Sequence, residues 1–227
     1  MNWDDIGFLV SKNRYNENSI ISEIFTKNHG KISGLIFGAT SKKIKNYLQI
    51  GNKFHINYNS KNENKLGYLN IEIENILTPL FFDNKKKLSC IVSSMNLVKL
   101  LTVENQSNEN IYKIIGDFYI FLKNENWISK LIFWELELLK LVGYDLELKS
   151  IVTEEIIDDK KLYFVVSSNE KKYIPNFLVE KNNDIADFNQ IFNGFKLISD
   201  YLDKSILQPN NISHPKARIE FLNTIKE

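Results

Sequence analysis

The chain has 227 residues, 43% of them hydrophobic and 25% charged, with a formal net charge of +1. That is enough apolar material for a sizeable core in one large or two small domains. A single cysteine, Cys90, excludes an internal disulfide and a cysteine-based zinc site. No run approaches the roughly 18 apolar residues needed to span a bilayer. Asp4 and Asp5 stand where a secretory leader would carry basic residues, so the expected location is cytoplasmic.

The charge is unevenly spread. Residues 1–54 hold eight cations (Lys12, Arg14, Lys27, Lys31, Lys42, Lys43, Lys45, Lys53) against Asp4, Asp5, Glu17 and Glu23, a balance of +4 that leaves −3 for the rest. A basic N-terminal part on a near-neutral chain points to a polyanion partner; a surface that is merely basic is the plain alternative. Of 29 basic residues only Arg14 and Arg218 are arginine. Arginine offers a planar five-donor fork that lysine cannot imitate.

In chain order, the first 77 residues read as strands. Ile6, Phe8 and Val10 alternate with Gly7, Leu9 and Ser11, and Asn16–Asn18 is a polar turn. Ser19–Thr26 is β-rich, Asn28-His29-Gly30 signals a tight turn, and Ile32–Phe37 follows. Phe54–Tyr58 and Leu69–Ile73 show the cleanest period of two. Five short strands predict a small barrel over residues 1–78. The link from Gly38 to Gly51 carries Lys42, Lys43 and Lys45 and has room for a short helix.

After Thr78-Pro79 the period becomes helical, which assigns residues 79–227 to an α-helical domain. Apolar stripes run through Leu88–Val98, Ile111–Phe118 and residues 127–142, the last stopped by Gly143. Residues 150–184 are irregular, with a hairpin expected from Leu162–Val166 to Lys172–Ile174. A long helix follows from about Ile185 to Ile206, and a short one after Pro215. The fold class is therefore α+β, a barrel followed by helices with a small hairpin insertion.

No catalytic constellation stands out. There is no glycine-rich phosphate loop, nucleophile elbow or HExxH helix. His29, His55 and His214 have no ligand spacing, and Cys90 lies in an apolar helix, where it reads as a small buried hydrophobe. The expectation is a protein that is not an enzyme, with no cofactor, metal or small-molecule substrate.

Several blocks carry a resemblance. One is the strand-and-turn phrase Ile24-Phe25-Thr26-Lys27-Asn28-His29-Gly30; a basic stretch from Gly34 through Gly38 to Lys42-Lys43 follows, then Leu48-Gln49-Ile50-Gly51. Further on stand Glu135-Leu136, Leu138-Leu139 and Leu141-Val142-Gly143-Tyr144, and near the end Pro215-Lys216-Ala217-Arg218. In this order the blocks resemble the recombination mediator family RecO across nearly the whole chain. The resemblance implies an OB-fold joined to a helical domain, and binding of single- and double-stranded DNA with strand annealing. It also implies contact with RecR and with the tail of single-strand-binding protein, and help in loading RecA.

The chain departs from that family at two places. Some relatives carry a four-cysteine zinc knuckle, but Ser150 occupies the place of the first cysteine here. Some place arginines before the Glu-Leu phrase, where this chain has Ile132, Phe133 and Trp134. Lys130 is then the nearest cation, and Lys130 and Lys140 are the candidates for an acidic partner tail.

The candidate DNA contacts are Arg14, Lys27, Lys31, Lys42, Lys43 and Lys45, each able to release counterions from phosphate. Tyr15 and Tyr47, beside Arg14 and Lys45, are candidates for base stacking. The rival reading is a protein-binding adaptor whose OB-like barrel makes no direct DNA contact; an OB-fold nuclease or transferase is a third. On a helix over 127–142, Ser129, Lys130, Glu137 and Lys140 share the expected solvent sector, and Glu135 lies among apolar residues. A buried carboxylate needs a partner, and Arg218 is expected to be that partner.

Overall fold

The computed structural model describes residues 1–62, 65–167, 170–181 and 187–226. Five strands come first: β1 (Asn2–Arg14), β2 (Ser19–Thr26), β3 (Gly30–Phe37), β4 (Lys53–Asn59) and β5 (Gly67–Asn75). They close into a barrel in the order β1-β2-β3-β5-β4, with β4 returning to β1. Neighbours are antiparallel except the short β3–β5 pairing, Gly34↔Gly67 and Leu35↔Tyr68. The topology is that of an OB-like barrel. Closure removes the unpaired edges that an open sheet would expose.

The alternating residues fill its interior. Leu9, Ile24, Ile36, Phe54, Ile56 and Leu69 are all buried in one cluster. Each such side chain favours the fold by roughly 1.5–3 kcal/mol relative to exposure. The link after β3 forms helix α1 (Lys42–Tyr47), whose first turn is capped by Ser41 Oγ accepting from the Ile44 amide. Ala39 and Leu48, on either side of α1, belong to the same core.

β1 is buried on both faces over Gly7–Ser11, because it carries helices on its outer side. α2 (Lys85–Leu101) lies against it, and α3 (Glu109–Phe121) sets Tyr112 beside Phe8, with ring centroids 5.2 Å apart. The Tyr119 hydroxyl donates to the Gly51 carbonyl at 2.8 Å. Gly51 has φ +92°, and a Cβ there would sit 2.0 Å from that hydroxyl, so only glycine fits. The C-terminal helix α8 (Lys216–Lys226) packs along α2 and buries Arg218, Phe221 and Ile225.

The chain divides into two compact units: residues 1–119 with 215–227, and residues 120–214. In the second, α4 (Trp127–Leu141) packs on α7 (Phe188–Leu202). Gly143, at φ +91°, follows the end of α4. Between α4 and α7 lie α5 (Leu148–Ile151), strands β6 (Thr153–Ile157), β7 (Lys160–Ser167) and β8 (Glu170–Ile174), and α6 (Asn176–Glu180).

The expected hairpin is therefore a three-stranded antiparallel sheet, β6-β7-β8. β6 is almost wholly exposed and carries no apolar alternation, which is why the sequence hid it. Its links to the sheet include ion pairs, such as Lys161–Glu154 at 2.8 Å. The long helix ends earlier than expected, since the turn over Asp203–Leu207 widens to i→i+5 pairing. The first three residues of its expected span, 185–187, include 185 and 186, which lie outside the described residues. No helix among the described residues is long and apolar enough to cross a membrane.

Candidate nucleic-acid interface

The end of β1, the link after β3 and α1 together shape a cleft of about 280 Å³. Ile20, Ala39 and Leu48 form its apolar part, and Lys12, Arg14 and Lys45 bring three cations to it. The register explains why they meet. Arg14 stands opposite Ile20 and Lys12 opposite Ser22 on β2. α1 then folds back over this mouth of the barrel with Lys45 on its exposed side.

The electrostatics of the cleft are one-sided. The Lys12 ammonium donates to the Leu48 carbonyl and is half-buried. Burial lowers its pKa, and neighbouring Lys45 lowers it further. The Arg14 Nε donates to the Asn16 carbonyl at 3.2 Å, leaving most of its fork exposed. Among the described residues none of the three cations is in an ion pair. Like charges gathered without carboxylates make a site for an external anion.

The sequence candidates divide between this cleft and other places. Arg14 and Lys45 line it, and Lys42 is exposed on α1 beside it. The side chain of Lys43 lies outside the described residues. Lys27 is exposed but sits past the far end of β2, roughly 25 Å along the strand from the Arg14 end.

Two candidates need correction. Lys31 is only 8% exposed, and its ammonium donates to the Lys99 carbonyl on α2 at 2.7 Å. Burial lowers its pKa against the opposing pull of Glu23 and Glu104, so it is a cation committed to the fold. Tyr47 is only partly exposed. One turn on from Ile44, it packs on the barrel core with its ring 6.1 Å from that of Phe54. Tyr15, by contrast, is exposed.

In sequence Lys12 contributes only to the basic balance, because a lysine within a strand reads as ordinary surface. Two exposed aromatic rings also carry no signal in the sequence. Phe37 is 58% exposed and Tyr68 is 42% exposed, and their rings stack at 5.2 Å. In sequence Phe37 closes an apolar run, Leu35-Ile36-Phe37, that reads as core.

The opposite end of the barrel holds a different polar cluster. Asp5 is buried and accepts from the amides of Ile6 and Asn28, from Asn28 Nδ2 and from His29 Nδ1, all within 2.9 Å. Burial raises its pKa, but the hydrogen bonds from His29, Asn28 and Ile6 outweigh this, and the carboxyl lies below its ordinary value. Trp3 stacks on His29 at 3.7 Å and on Tyr58 at 4.8 Å. The cluster ties the β2–β3 turn to β1.

On α4, Lys140 is exposed and lies 3.8 Å from Asp145, and Lys130 is half-exposed. Glu135 is 2% exposed, as the wheel over 127–142 predicts, and Arg218 on α8 is fully buried. Ser129 departs from that wheel: it is buried, so the solvent face of α4 narrows to Glu137 and Lys140 with Lys130 at its edge. Among the described residues no group of three His, Cys, Asp or Glu side chains is placed to hold a metal ion.

Comparison with known proteins adds the family. The sequence model for the N-terminal region of recombination protein O matches residues 1–76. The DNA repair protein RecO of Rickettsia africae is 30% identical over 198 residues, spanning 82% of this chain and 83% of the relative. That of Rickettsia canadensis is 28% identical over 239 residues, spanning 99% and 97%. That of Bartonella bacilliformis is 25% identical over 96% of this chain and 94% of its own length. With the barrel matched by its family model and the whole length matched by these relatives, the chain belongs to the RecO family of DNA repair proteins.

Proposed function

We propose that this chain is a recombination mediator that binds single- and double-stranded DNA through its barrel and promotes strand annealing. Together with RecR it helps to load RecA onto DNA coated with single-strand-binding protein. It acts by holding strands rather than by breaking or making covalent bonds. The observation that carries this reading is the cleft with Lys12, Arg14 and Lys45, whose charge no carboxylate among the described residues answers. Phosphates entering it would release their condensed counterions, which favours binding of any sequence. Specific base readout is not expected, because contacts to phosphate carry no sequence information. The exposed Lys140 and half-exposed Lys130 on α4 support a second contact, with the acidic tail of single-strand-binding protein.

Titration of a labelled single-stranded oligonucleotide at two salt concentrations tests the proposal. The mediator reading predicts binding that weakens steeply with salt while the oligonucleotide stays intact. Absence of binding at low salt would leave only the adaptor reading, and loss of intact oligonucleotide would make the protein a nuclease.

A further inference from the structure

The outer wall of the barrel beside the cleft carries an apolar row that the fold leaves uncovered. Ile21, Leu35 and Tyr68 stand opposite one another across β2, β3 and β5, and polar Asn13 on β1, which lines the cleft, ends the row. Ile21 and Leu35 are half-exposed, and Phe37, two residues beyond Leu35, stacks on Tyr68 with an interplanar angle of 26°. Exposed rings side by side are informative where a scattered apolar residue is not.

Their position relative to the cations gives the occupant. Phe37 ends β3, and Ala39, two residues on, lines the basic cleft. Ile20 lines it too, and its register partner on β3 is Ile36. The aromatic pair and the cleft thus share the ends of β2 and β3. On the other flank of the row, Glu23 is held by Lys99 at 2.6 Å and Glu104 accepts from Ser33, so these two carboxylates are engaged within the fold, away from the Arg14 end. A ligand that matches both surfaces has phosphates at regular intervals and flat apolar faces between them.

We propose that the Phe37–Tyr68 pair is a stacking platform for unpaired bases of a single DNA strand whose phosphates lie in the Lys12–Arg14–Lys45 cleft. This rests on the DNA-binding reading above and goes beyond it. In a duplex the base faces are already stacked on one another, so the platform favours single strands over double strands. Stacking is tolerant of sequence because every base has a π-face.

The test compares a labelled oligothymidylate of about 20 nucleotides, longer than one OB-fold site, with an abasic strand of equal length and charge. Wild type should prefer the thymidylate. Phe37→Ala with Tyr68→Ala should lose about tenfold or more of thymidylate affinity. The same variant should keep its abasic affinity and its salt slope, so that the preference disappears. Phe37→Trp should retain the preference, and Phe37→Leu with Tyr68→Leu, which keep apolar bulk but no π-face, serve if the alanine variant does not fold.

A wild-type protein that binds both strands equally would overturn the platform and leave the basic cleft standing. Binding of neither strand would overturn both. A variant that keeps the thymidylate preference overturns the platform alone. So does a change in sedimentation from dimer to monomer with DNA binding unaltered, which would make the rings a contact between copies.

Discussion

The two ends of the barrel use polar residues in opposite ways. At the Asp5 end a buried carboxylate accepts four hydrogen bonds from its neighbours, and Trp3, itself stacked on Tyr58, packs on the His29 that supplies one of them. At the α1 end Lys12 is half-buried, its neighbour Lys45 is another cation, and Arg14 reaches only a backbone carbonyl. The first arrangement is answered within the chain and reads as structure. The second is electrostatically incomplete and reads as a place for a ligand. Charge counting alone cannot tell these apart, because both ends lie within the same basic stretch of 54 residues.

The contrast is broken or sharpened by substitution. The largest effect is expected where charge is most deeply committed to the fold, at Glu135 and Arg218, each at most 2% exposed. Glu135→Gln or Arg218→Met should lower unfolding free energy by roughly 3–5 kcal/mol. The pairing inferred from the sequence is tested by the double variant: a loss much smaller than the two single losses together supports it, and additive losses contradict it.

Asp5→Ala comes next, because it leaves the Ile6 and Asn28 amides without their acceptor. Its expected cost is roughly 2–3 kcal/mol in denaturant unfolding, with no change in the DNA affinity of the folded protein. The pH dependence follows from the lowered pKa. On acidification the unfolded chain takes up its proton first, so the stabilisation is complete above about pH 5 and is lost progressively below it. Asp5→Asn should flatten that part of the acid-unfolding profile; an unchanged profile would mean that Asp5 is not the group being titrated.

Much of the fold was legible because period-two patterns over Phe54–Tyr58 and Leu69–Ile73 and the helical stripe over 127–142 arise from one-sided burial, which a sequence records directly. β1 runs beyond the alternating stretch from Ile6 to Ser11, since its ends are polar and held by pairing to β2 and β4 rather than by apolar packing. The site was less legible. Lys31 reads like any surface lysine until α2, almost seventy residues on, covers it. Phe37 reads as core until closure of the barrel turns it outward, and Tyr47 reads as a free ring until α1 folds it onto Phe54. In each case the deciding contact is tertiary, and local pattern carries no trace of it.

The central claim is that the cations at the α1 end act together on phosphate. It is tested most directly by measuring the slope of log affinity against log salt for single-stranded DNA, in the wild type and in a Lys12→Ala, Arg14→Ala, Lys45→Ala variant. Each lost phosphate contact should reduce the slope by about 0.7, giving a fall of about 2 for the three, with weaker binding to every sequence tested. A variant with the wild-type slope and affinity would contradict the account and move the DNA site elsewhere on the protein.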